Sequence, residues 1–193
     1  MCYKVEIAEG KAKVFTPYNA DFVKRIKQVG GARWDAESKC WTVAEDAVPA
    51  VREIMWNVYG RDDVVEGETV KVRLTFNTEV SAWRDSVTVL GHSISHAWGR
   101  DSGAKPGDDV FFISGGCTSG GSVKNWYSVV KEGSVVELGN VSKGLLESQK
   151  DQLAEDDISF EIIENKMINK TVLEEERKRL MERIAEIDRL LAE

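Results

Sequence analysis

Between Lys11 and Trp41 the chain carries seven basic residues (Lys11, Lys13, Lys24, Arg25, Lys27, Arg33, Lys39) against three acidic ones (Asp21, Asp35, Glu37). That is a local positive excess in a protein whose formal net charge is −7. Cations clustered in an acidic chain have the chemistry of phosphate recognition, since each one that meets a phosphate releases a condensed counterion. A solvated helix face accounts for the same charges, so both uses stay open. The residues expected to contact nucleic acid are Lys24, Arg25, Lys27, Arg33 and Lys39.

Two glycine-rich runs offer a second kind of chemistry. Gly99–Asp109 precedes an apolar run and Ser114–Ser122 follows the same run. Glycine lets backbone N–H groups approach an anion. A candidate anion or ligand loop therefore comprises Arg100, Ser102, Gly103, Lys105, Gly120, Gly121, Ser122 and Lys124. Neither run has the spacing of a P-loop or a Rossmann turn. Ordinary hairpin chemistry is the plainer reading.

Catalytic and metal-binding constellations are thin. His92 and His96, with Cys117, make three scattered ligand types without CxxC or HxxxH-on-helix context. The adjacent acid pairs Asp62-Asp63, Asp108-Asp109 and Asp156-Asp157 read as turn formers. The expectation is a non-enzymatic protein with no metal and no cofactor. Three widely spaced cysteines and an N-terminus without an apolar signal core fit reduced thiols in the cytoplasm, the host's if the protein is phage encoded. No run approaches the roughly 20 apolar residues of a membrane helix.

The basic residues sit on a patterned stretch, Val14–Val43. Asn19 can cap a helix whose apolar positions are Phe22, Ile26 and Val29, and Gly30-Gly31 stop it. Lys24, Arg25 and Lys27 fall on the solvent side. Trp34 and Trp41 then flank a polar run, Asp35–Lys39, suited to a turn between short strands. In so small a module both indoles are expected to fill the core, which would exclude stacking on bases. A strand pair before this stretch, and a helix after it with Pro49 in its first turn and Gly60 at its end, give ββαββα.

Pro17-Tyr18-Asn19, the helix ending in Gly30-Gly31, Arg33-Trp34-Asp35, and Lys39 followed by Trp41 resemble the HARP module of annealing helicases, related copies of which occur in phage and mobile-element proteins. The resemblance covers about residues 11–59. It implies DNA binding near single-strand/double-strand junctions, without chemistry of its own, in a phage or mobile-element protein.

Beyond the polar hinge at Arg61–Glu68 the pattern becomes alternating strands, beginning with Val70, Val72, Leu74 and Phe76. Further strands are expected at 86–97, 109–114, 126–130, 134–138 and 158–162, with a helix near 142–155. These predict a small barrel or sandwich. The tail carries a capping box at Thr171 and Glu174. Leu173, Leu180, Ile184, Ile187 and Leu191 follow as a heptad seam expected to form a homodimer interface.

The expected fold is α+β: a HARP-like ββαββα module (1–61), a β-rich barrel or sandwich domain (62–168) and a C-terminal coiled-coil-type helix (169–193). The expected function is nucleic-acid binding, with forked or single-stranded DNA favoured. Two rivals stand beside it. One is a phage counter-defence inhibitor of the anti-CRISPR type, contacting a host defence nuclease complex. The other is a sponge for a nucleotide signal held in the glycine loops.

Overall fold

The computed structural model describes residues 3–65 and 67–163, together with Lys178, Met181 and Ile184. Fourteen strands, three short α-helices and one 3-10 turn at Glu45–Ala47 make up the described elements, and every strand pairing is antiparallel. The fold is therefore β-rich, which corrects the α+β expectation. A C-terminal coiled-coil helix is likewise absent from the described elements, whose last helix is 13 residues long and lies at Lys143–Glu155. Of the proposed seam, Leu173, Leu180, Ile187 and Leu191 lie outside the described residues. Ile184 is helical and exposed.

Residues 4–59 build one sheet with two helices on its inner face. The strands β1 (Lys4–Ala8), β2 (Lys11–Phe15), β3 (Arg33–Asp35) and β4 (Cys40–Ala44) lie in the order β1-β2-β4-β3. Strand alternation sends Ala12, Val14, Trp41 and Val43 inward. Helices α1 (Ala20–Ile26) and α2 (Val48–Tyr59) cover them with Phe22, Ile26, Val51 and Met55. α1 is shorter than its pattern predicts. It stops at Ile26, and tight turns through Gln28, Val29 and Ala32 complete the descent to the glycines. α2 carries Pro49 in its first turn and ends on Gly60 in the left-handed region (φ +65°).

The remaining strands surround a second core. Strand β5 (Thr69–Phe76) is central in a sheet of order β10-β13-β5-β14, where β10 is Val110–Ser114, β13 Val135–Ser142 and β14 Ile158–Ile163. Its inward residues Val72, Leu74 and Phe76 are fully buried, while outward Arg73 bridges Glu137 and Glu161. A second sheet joins β11 (Cys117–Gly121), β12 (Trp126–Val130) and β6 (Val80–Trp83). A third joins β7 (Val87–Val89), β8 (His92–Ala97) and β9 (Ala104–Lys105). Helix α3 (Lys143–Glu155) sits between β13 and β14, capped by Ser142.

Two expectations about strands change here. The 86–97 run splits at Leu90-Gly91, whose φ values of +49° and +76° make a two-residue turn between β7 and β8. The glycine-rich run 117–121 forms β11, because β12 supplies its partners. Gly121 is required there, since a Cβ would lie 2.2 Å from the Asn125 carbonyl oxygen.

The two cores meet at two buried side chains, Asn19 and Ser142. Asn19 Oδ1 accepts from the N–H groups of Asp21 (2.9 Å) and Phe22 (3.0 Å), capping α1. Its Nδ2 donates to the Gly91 carbonyl at 2.9 Å, on the β7–β8 turn. Gly91 can come this close because a Cβ there would lie 2.8 Å from the Val58 carbonyl oxygen. Ser142 Oγ donates to the Gly60 carbonyl (2.9 Å), tying the end of α2 to the start of α3.

Asn19→Ala is expected to destabilise the protein by about 2–4 kcal/mol in urea denaturation, combining a lost cap with a buried carbonyl left unpaired. Asn19→Asp keeps the cap acceptor but cannot donate to Gly91. Stability equal to wild type in Asn19→Asp would show that the Gly91 bond contributes nothing.

Candidate nucleic-acid interface

Along the inner face of the first sheet the register sets Val14, Trp41 and Trp34 side by side on β2, β4 and β3. The two-turn helix α1 covers the first two. Trp34, on the three-residue edge strand, lies past that cover and is 52% exposed, whereas Trp41 is 7% exposed. This corrects the expectation that both indoles are core. The rings meet edge to face, with centroids 5.5 Å apart and planes inclined at 61°.

A cleft of about 340 Å³ opens beside Trp34. Phe22 and Val23 of α1 and Lys27 at its C-terminal end line one side, Trp34 and Trp41 another, and Thr16, Pro17 and Tyr18 close it. The size falls within the roughly 300–1,000 Å³ of small-ligand sites. Its third wall is held from behind, since the Tyr59 hydroxyl donates to the Pro17 carbonyl at 2.8 Å. Burial pushes the Tyr59 phenol far above its ordinary pKa, so it stays a donor. The cleft thus has an apolar floor, two partly exposed rings at its rim and one ammonium group.

The five basic residues do not share one surface. Lys27 stands at the cleft and Arg25 is exposed on α1; neither makes an ion pair among the described residues. Lys24 is committed elsewhere, to Asp85 on the second module and, at 3.7 Å, to Asp21. The Asp85 hydrogen bond raises its pKa and fixes its charge. Arg33 alternates with Trp34 and so belongs to the sheet's outer face, where it lines a separate concavity with Lys11, Gly31 and Thr42. Lys39 is exposed at the β3–β4 turn (φ +51°), which Asp35 closes by accepting from Glu37 N and Ser38 N.

The glycine-rich runs do approach one another, through Ser119 Oγ donating to the Arg100 carbonyl at 2.7 Å. Their polar groups, however, serve their own turns. Arg100 forks onto Asp101 with two 2.9 Å bonds, and Ser102 Oγ accepts from the N–H groups of Trp98 and Gly99 just before Gly103. Gly120 and Gly121 pair with Tyr127 and Trp126, and Ser122 closes the β11–β12 hairpin onto Asn125. Lys105 and Lys124 are exposed.

The histidines have separate surroundings. His92 is buried between the carbonyls of Leu90 (2.8 Å) and Gly139 (2.9 Å), and burial lowers its pKa. His96 instead receives Tyr18 against its ring, centroids 4.7 Å apart. Sequence reasoning missed Trp34 and Tyr18 as surface residues. The available signal was position: Trp34 lies on a short strand that the chain enters from a glycine turn.

Trp34→Ala is expected to keep a cooperative melt, losing about 1–2 kcal/mol, chiefly the ring–ring contact. Trp41→Ala should lose roughly 3–5 kcal/mol and unfold the first module. Equal losses in the two variants, followed by circular dichroism, would return Trp34 to the core. Compared with family models, curated proteins and solved structures, this chain matches none.

Proposed function

We propose that the protein binds single-stranded nucleic acid, without catalysis, through the cleft between α1 and the β3 edge. The observation that carries this reading is the half-exposed indole of Trp34 walling an apolar cleft whose rim holds the ammonium of Lys27, which makes no ion pair among the described residues. Every base has a π-face, so an open indole holds one with little regard to sequence, and a nearby cation answers its phosphate. The resemblance of residues 11–59 to the HARP module supports the same partner, with forked or single-stranded DNA in the cytoplasm of a host cell as the expected setting. Arg25 and Lys39 extend the positive potential around the cleft. Lys24 holds the two modules together through Asp85.

Affinity for oligothymidylate, followed by tryptophan quenching, is expected to fall as salt rises. Lys27→Ala should flatten the log–log slope by about one unit, and Trp34→Ala should weaken binding about tenfold. Lys24→Ala should leave the slope nearly unchanged. Absence of binding by the wild-type protein at low salt would overturn the reading.

A further inference from the structure

Tyr18 belongs to two groups of rings at once. On one side it closes the Trp34 cleft. On the other it leans on His96 (4.7 Å, inclined 53°), whose ring meets Trp98 at 4.4 Å with planes inclined at 82°. Tyr18 comes from the first module, while His96 and Trp98 come from β8 and the residue just beyond it. Trp98 is 66% exposed, more than any other tryptophan among the described residues. Packing beneath keeps the row in place. Ser86, itself buried, hydrogen-bonds His96 Nδ1 at 2.7 Å, and the Ala97 N–H donates to Ser128 Oγ at 3.0 Å. The register sets Lys105 of β9 directly opposite His96, on the same face of the sheet. Lys105 is exposed and carries no ion pair among the described residues.

We infer that the single-stranded chain held in the Trp34 cleft continues across Tyr18 and His96 onto Trp98, with Lys105 meeting a phosphate beside His96. This rests on the cleft reading and extends it from one module to both. Three features favour a nucleic-acid strand as the occupant. Tyr18 lines the cleft with Trp34, and the Tyr18, His96 and Trp98 rings follow one another from it. Cations flank the row at two places, Lys27 at the cleft and Lys105 opposite His96. The rings face the same partner chemistry, flat bases on an anionic backbone, for which exposed aromatic residues and flanking cations are the usual surface. Burial keeps the His96 pKa below that of a free imidazole, so at neutral pH its ring serves as an uncharged spacer.

The test compares oligothymidylates of about 3 and about 12 nucleotides, one below and one within the roughly 4–16 nucleotide range of single-strand sites. Trp98→Ala is expected to weaken binding of the longer strand about tenfold and to leave the shorter unchanged. Trp98→Phe should restore most of the loss, and Lys105→Ala should reduce the salt slope only on the longer strand. Trp34→Ala should weaken both. If Trp98→Ala binds the longer strand like wild type while Trp34→Ala does not, the extended path is wrong and the cleft reading survives. If wild type binds neither strand at low salt, both fall. Trp98 is mostly exposed, so its variants should melt as wild type does, and a shared melting temperature separates lost binding from lost folding.

Discussion

One buried amide connects the two halves of this molecule. Asn19 uses its oxygen to cap α1 and its nitrogen to hold the carbonyl of Gly91. Aspartate would supply the acceptor alone, and serine lacks the reach to serve both sides. The consequence reaches the candidate interface directly. Asn19 follows Tyr18, so the residue that closes the cleft and touches His96 is placed by the residue that joins the cores. The ion pair of Lys24 with Asp85 reinforces the same junction from the exposed side.

The cleft itself arises from a mismatch in length. A four-stranded sheet is wider than the two helix turns of α1 can cover, and on the β3 edge the uncovered inner-face residue is a tryptophan. A longer helix would bury Trp34 and leave no opening. The same geometry explains why only one of the five basic residues reaches the cleft. Period-two alternation sends Arg33 to the far face, and the charge of Lys24 is committed to the second module.

Local features of the chain were legible, long-range ones were not. The Asn19 cap, Pro49 and Gly60 at the ends of α2, and the alternation of β5 depend on neighbouring residues and follow from pattern alone. The exposure of Trp34 depends on strand order, because the same residue on β4 would be core. The loss of Lys24 to Asp85 joins positions 61 apart in sequence. Leu90, at φ +49° and fully buried, conceals a turn, since bulky residues rarely adopt that conformation and nothing in its type announces it. Glycines in β11 conceal a strand for the opposite reason: their type suggests a loop, and only the partner strand gives them order.

The order of pairing around β5 bears on how the chain emerges from a ribosome. The first module completes its core with residues 12–59, all close in sequence. Strand β5 follows immediately, yet both its neighbours come much later: β13 at Val135–Ser142 and β14 at Ile158–Ile163. At about 5–20 residues per second, several seconds pass during which Val72, Leu74 and Phe76 have neither a sheet partner nor a core. During that interval both edges of β5 are open to other nascent chains. The alternating Lys71 and Arg73, later neutralised by Glu137 and Glu161, are then bare cations on the same strand, and their mutual repulsion works against pairing between copies.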